Sequence, residues 1–299
     1  METQVTSSTK EVIIGDDRPT VLIGERINPS GNRKLAAALR RGNLDVVRNE
    51  ALTQVQAGAD IIDVNVSTFG VDEVTLLPRA VQVLMDTVHI PLCIDSASPV
   101  ALEAALKIYK GKPLINSVTG EEHSLARVLP LVKEYKAAVI GLVQDDDGVP
   151  KHRERRVSIA HKLVARAESV GIPREDILID CLALAVGADT SSGPEVIKAI
   201  SQVKAELGVN QILGASNVSF GLPDRDSLNS AFIALVIGAG VTCLITDVAK
   251  VRLATLAVDL LLGRDKRARR YLEAYRQRHS PPLEGKNIKT TASTPQKSL

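Results

Sequence analysis

A chain of 299 residues with 44% hydrophobic content can bury a substantial core, and one barrel of ~250 residues would use most of it. The formal net charge of +2 creates no field suited to nucleic acid or an anionic membrane, and 2% aromatic content without Trp excludes base-stacking platforms. No apolar stretch approaches ~20 residues and residues 1–10 are too polar for a signal peptide, so a soluble, cytoplasmic protein is expected.

From the N-terminus, residues 1–17 read as a polar extension with loose packing. Eight short apolar runs follow, at residues 20–27, 61–66, 91–96, 114–118, 137–143, 177–182, 211–218 and 242–248. Unbroken apolar runs of this length predict strands of a parallel sheet, buried on both faces. Between them lie stretches with helical periodicity. Residues 44–56 set Val46, Val47, Leu52 and Val55 to one side, and residues 74–88 carry Leu77, Val81, Leu84 and Val88 at three- and four-residue steps. Residues 101–109, 125–135, 157–169, 194–206, 227–237 and 251–262 repeat the pattern. Ser98-Pro99 and Gly193-Pro194 place prolines in first helical turns, and Gly58, Gly111, Gly171 and Gly208 stand where left-handed turns end helices.

Strand–helix alternation repeated eight times predicts a closed (β/α)8 TIM barrel, one α/β domain over residues 18–278. A doubly wound open sheet would need a glycine-rich turn after a strand, whereas Gly238-Ala239-Gly240 precedes one. The charge run at residues 264–270, with residues 271–278, predicts a solvated helix at the end of that domain. Residues 279–299, rich in Ser, Thr, Pro and Lys, predict a disordered tail. Cys93, Cys181 and Cys243 each fall in a strand run without metal-ligand spacing, so buried thiols are expected and no metal site is.

Several apolar runs close on a carboxylate or an amide: Asp63 and Asn65, Asp95, Asn116, Asp180, and Asn217, with Ser96, Ser117 and Ser216 beside them. Such groups are costly to bury alone, and strand ends of a barrel converge on its active face. All five histidines fall in helices, turns or the tail, which argues against histidine base catalysis. Carboxylates and amides suit a flat, nitrogen-rich heterocycle, because a carboxylate accepts two N–H donors while an amide both donates and accepts. A magnesium site would favour further carboxylates over amides. The run Asp145-Asp146-Asp147-Gly148 lacks the periodic ligands of a calcium loop, and the sequons at Asn65 and Asn217 lie in strand runs.

The blocks Ile23-Gly24-Glu25-Arg26-Ile27-Asn28, Asp63-Val64-Asn65-Val66, Cys93-Ile94-Asp95-Ser96, Ile115-Asn116-Ser117 and Gly214-Ala215-Ser216-Asn217-Val218-Ser219 occur in order over residues 20–262. Together they resemble the pterin-binding methyltransferase family. That family includes methyltetrahydrofolate:corrinoid methyltransferases, the folate domain of cobalamin-dependent methionine synthase and, more remotely, dihydropteroate synthase. The resemblance implies that Asp95, Asn116 and Asp180 hydrogen-bond the pterin and that Asn217 approaches N5 of the folate. Asp63 and Ser216 match network positions behind it, and Arg225 matches a basic residue beside the ring or its tail. It implies 5-methyltetrahydrofolate or tetrahydrofolate as substrate, a cobalamin carried by a separate corrinoid protein, and a homodimer. No Asp-x-His-x-x-Gly motif for holding the corrinoid is present in this chain.

Three departures stand out. Cys181 follows Asp180 where several relatives have proline, and Phe220 replaces a polar side chain of some relatives. The Gly-Glu-Ser-Thr-Arg-Pro-Gly loop and late Ser-Arg-Lys of the synthases are missing, which favours methyl transfer over a dihydropteroate-synthase-like condensation. A non-catalytic folate-binding or corrinoid-docking subunit is the alternative from outside enzymology.

Overall fold

A computed structural model describes residues 1–279; residues 280–299, where the tail was expected, lie outside the described residues. His279 itself closes a helix, α10 (Arg269–His279). All eight expected strands form: β3 (Val21–Ile27), β4 (Ile61–Val64), β5 (Leu92–Asp95), β6 (Leu114–Thr119), β7 (Ala138–Leu142), β8 (Ile177–Asp180), β9 (Asn210–Gly214) and β10 (Cys243–Thr246). They pair in parallel in chain order, and β10 closes the barrel against β3. Helices α2 (Asp45–Ala57), α3 (Glu73–Thr87), α4 (Pro99–Leu106), α5 (Glu122–Glu134), α6 (Arg153–Ser169), α7 (Ser192–Leu207), α8 (Arg225–Ala239) and α9 (Val248–Leu261) surround it. A short α1 (Arg33–Arg40), which the apolar pattern does not announce, follows β3.

Strand geometry alternates side chains between two apolar clusters. Leu22, Ile62, Ile94, Ile115, Val139, Ile179, Leu213 and Leu244 pack outward with the helices. Val21, Ile23, Ile61, Cys93, Leu114, Ile140, Leu178, Ile212 and Cys243 pack together inside the barrel. The inward row continues two residues on from Ile61 to Asp63, from Cys93 to Asp95, from Leu114 to Asn116 and from Leu178 to Asp180. The polar endings therefore share the C-terminal mouth because each continues an inward row.

The first 17 residues correct the expectation of loose packing. Two antiparallel strands, β1 (Glu2–Thr6) and β2 (Glu11–Gly15), form a hairpin whose Val5, Val12 and Ile14 join the interior cluster. Asn210, at the start of β9, donates to Thr3 Oγ1 (2.9 Å) and Ile14 O (3.0 Å), so the hairpin stoppers the N-terminal end of the barrel. Gly111 (φ +135°) permits that closure, since a Cβ there would meet Thr6 O at 2.3 Å. The polar composition conceals the alternation of Thr3, Val5, Val12 and Ile14, all buried. The apolar run 211–218 predicts strand throughout, but extended structure stops at Gly214 and a 3-10 turn, Ala215–Ser219, follows. Among the described residues no helix is long and apolar enough to cross a membrane.

Candidate active site

A cleft of ≈ 870 Å³ opens at the strand C-terminal ends, with Asp63, Asp95, Asn116, Asn217 and Arg225 among its lining residues. Neighbouring carboxylates and amides are laced together across strands. Asn65 Nδ2 donates to Asp95 Oδ2 (2.9 Å), and Asn116 Nδ2 donates to Asp63 Oδ1 (3.2 Å). Asn65 thus braces Asp95, and Ser96 braces the same strand end by donating to Glu73 Oε1 (2.6 Å). Asp180, unlike the other expected pterin-binding residues, is not among those lining the cleft: it is 4% exposed, and Leu182 N–H (2.7 Å) and Gly214 N–H (3.3 Å), the latter from a lining residue, donate to its two oxygens.

Asn217 rides on the 3-10 turn and is exposed to the cleft. Among the described residues its amide has no hydrogen-bond partner; its Nδ2 lies against Gly214, where an added Cβ would approach to 3.3 Å. The turn itself is held from both sides. Arg225 donates from Nε to Ser219 Oγ (2.9 Å) and from an Nη to Ser216 O (2.7 Å), and Ser216 Oγ donates to Glu25 Oε1 (2.8 Å). Arg225 therefore lines the cleft and also fixes the backbone that carries Asn217.

Glu25 is absent from the sequence-derived set, although it lines this cleft and an adjoining cavity of ≈ 160 Å³. The inward row Val21, Ile23, Glu25 was the signal for it, obscured because Glu25 and Arg26 are both polar. Gln54 of α2 braces this strand end: its Oε1 accepts from Arg26 N–H (3.0 Å), and Gly24 leaves room for it, since a Cβ there would lie 2.2 Å from that oxygen. The three cysteines are buried, and among the described residues no group of three or more His, Cys, Asp or Glu is arranged to hold a metal ion.

Burial dominates the electrostatics of the site. It pushes the Asp95 and Asp180 carboxyls each up to about 6, against partial relief from Asn65 for the first and from two backbone N–H groups for the second. Asp63 is raised well above the ordinary carboxylate range by burial and then by the neighbouring Asp95 charge. Glu25 is raised by burial, with the Ser216 hydrogen bond opposing.

A folded-state pKa above the unfolded value means that stability is fully present below ~4 and is lost as pH rises through about 6. Asp95→Asn should therefore raise the stability of the free protein at pH 8 by about 1–3 kcal/mol, with much less gain at pH 4.5. Thermal unfolding at the two pH values checks this; equal destabilisation at both would contradict it.

Fold and cleft together define a TIM-barrel protein with a polar cleft at the C-terminal mouth. The chain belongs to the pterin-binding enzyme family, whose model matches residues 24–247. It is 29% identical over 273 residues to the methylcorrinoid:tetrahydrofolate methyltransferase of Eubacterium limosum, covering 89% of this chain and 100% of that protein. It is 31% identical over 263 residues to methionine synthase of Mycobacterium tuberculosis, where the match covers 84% of this chain but 22% of that protein. Among solved structures, a Yersinia pestis DHPS with a pterine-sulfa conjugate superposes with a TM-score of 0.66 at 15% identity, covering 88% of this chain and 100% of that one. A Clostridium difficile dihydropteroate synthase in the presence of pteroic acid gives 0.64 at 23%, covering 82% and 97%. These two establish the shared barrel.

Proposed function

We propose that this protein is a methyltransferase that moves the N5 methyl group between 5-methyltetrahydrofolate and the cobalt of a corrinoid carried by a partner protein. The observation that carries the reading is the cleft itself: a wall of carboxylates and amides beside one amide, Asn217, left without an internal partner. The match along the full length of a methylcorrinoid:tetrahydrofolate methyltransferase supports the same chemistry.

In this reading Asp95, Asn116 and Asp180 grip the donor edge of the pterin, and Asp63 holds the Asn116 amide in place through their hydrogen bond. One Nδ2 hydrogen of Asn116 goes to Asp63, which leaves its carbonyl oxygen to accept from the ring and its second Nδ2 hydrogen to donate. A tertiary amine such as N5 leaves poorly unless charge developing on it is stabilised. The Asn217 amide donates there without bringing a fixed charge, on a turn held by Arg225 and Ser216. A reduced corrinoid supplies the nucleophile that accepts the methyl group; this chain's residues orient the folate and stabilise its leaving nitrogen.

Mixing the protein with 5-methyltetrahydrofolate and cob(I)alamin should generate the methylcobalamin spectrum. Folate binding without transfer would identify a binding subunit, and no folate binding would overturn the reading. Asp95→Ala and Asp180→Ala should each weaken folate binding about tenfold to hundredfold, since a hydrogen bond to a charged group contributes ~1.5–3 kcal/mol. Calorimetric titration of correctly folded variants measures this, and unchanged affinity in both would remove pterin recognition from these residues.

A further inference from the structure

We propose that Arg33 and Lys34 form an anion subsite at the outer end of the same cleft, for the carboxylates of a folate whose tail carries more than one glutamate. The inference rests on the folate reading above and extends it from the ring to the tail. Both cations line the ≈ 870 Å³ cleft that holds Asp63, Asp95 and Asn217. That volume lies toward the upper end for small-molecule sites, more than a pterin ring alone requires.

The four cations of this cleft differ in their commitments. Arg225 is engaged with Ser216 and Ser219, and Arg26 has carboxylates within reach, Glu50 at 3.4 Å and Asp247 at 3.7 Å. Arg33 and Lys34 are exposed, and among the described residues neither has a carboxylate within ion-pair distance. Their placement also runs against local electrostatics. They open α1, whose first turn contains no acidic residue, so two positive charges sit at the partially positive end of a helix. Such a placement lowers the stability of the empty site and is relieved by an external anion.

The loop bearing them is held in shape. Asn28 Oδ1 accepts from Ser30 N–H (2.9 Å), Asn32 N–H donates to Pro29 O (3.0 Å), and the Asn32 side chain accepts from Leu35 N–H (3.1 Å). The cleft therefore runs from buried carboxylates to exposed, uncommitted cations. A folate has the complementary polarity, with N–H donors on its ring and carboxylates along its tail. Each added glutamate brings another anion toward that rim.

Calorimetric titration with 5-methyltetrahydrofolate bearing one and three glutamates tests the assignment. The unmodified protein should bind the triglutamate about twofold to thirtyfold more tightly, the range expected of two exposed ion pairs. Higher salt should shrink the preference. The double variant Arg33→Ala/Lys34→Ala should keep its monoglutamate affinity and lose the preference, and Arg33→Glu/Lys34→Glu should reverse it. Equal binding of both forms by the unmodified protein, or an undiminished preference in the alanine variant, overturns the proposal. So does a defect confined to transfer with a corrinoid protein while free cob(I)alamin reacts normally, which would assign these cations to docking. Failure to bind even the monoglutamate form would instead sink the folate reading itself.

Discussion

Replacing Asn217 with alanine should slow methyl transfer about a hundredfold to a thousandfold, because losing one preorganised donor at a developing charge costs ~2.7–4 kcal/mol. Folate affinity should fall far less, since in the proposed mechanism the interaction gains most of its strength as N5 becomes a leaving group. The side chain is suited to this because it is uncommitted: its amide faces the cleft while the turn beneath it is tied down by Arg225 and Ser216. Preorganised backbone with a free donor is what electrostatic stabilisation of a leaving group requires. Single-turnover transfer to cob(I)alamin at saturating 5-methyltetrahydrofolate isolates the step. A near-normal rate with weakened binding alone would make Asn217 a ground-state anchor. Glu25, raised in pKa and bonded to Ser216, would then be the next group to examine.

Arg156→Leu should cost the largest share of stability of any single substitution considered. This arginine, in the first turn of α6, is 0% exposed. Its Nε donates to Pro150 O (2.8 Å), and one Nη donates to both Cys181 O and Leu182 O (2.6 Å each). Leucine would fill part of the volume but leave three carbonyls without their donor, at ~1–3 kcal/mol for each one that stays buried. A loss of about 3–6 kcal/mol would consume much of the ~5–15 kcal/mol margin of an ordinary domain. Chemical denaturation checks the figure, and a variant as stable as the parent would contradict it. The substitution should reach the site too. Leu182, at φ +57°, turns its N–H back onto Asp180 Oδ1, so releasing its carbonyl loosens the carboxylate's support. A lysine could not replace the fork, since one ammonium cannot reach three separated carbonyls with the same planar geometry.

Much of the barrel was legible because its grammar is local. Each strand needs only a short apolar run, each helix a three- and four-residue step, and Ser98-Pro99 does cap α4, with the Ser98 hydroxyl accepting from Ala101 N–H (3.3 Å). Polar residues at strand ends were readable for the same reason: a polar residue two positions beyond an inward apolar one continues into the mouth. Glu25 obeyed that rule and was masked by the adjacent Arg26. The N-terminal hairpin was masked by composition, since half its residues face water and only the alternate ones meet the core.

The amino-acid sequence by itself determined the eight strand–helix units, the closed parallel barrel and the family blocks that carry Asp63, Asp95, Asn116 and Asn217, with Asp180 at the end of a further apolar run. Tertiary structure alone decided which of these groups meet. Asn116 reaches Asp63 from two strands away, Asn65 reaches Asp95 from the neighbouring strand, and Ser216 bonds Glu25 across 191 residues of chain. It also decided that residues 1–15 stopper the barrel and that Arg156 clamps the loop behind Asp180. The physical reason is that periodicity reports only which face a side chain occupies. Its partner on that face is set by strand tilt, stagger and ring closure, which belong to the barrel as a whole and to no single segment.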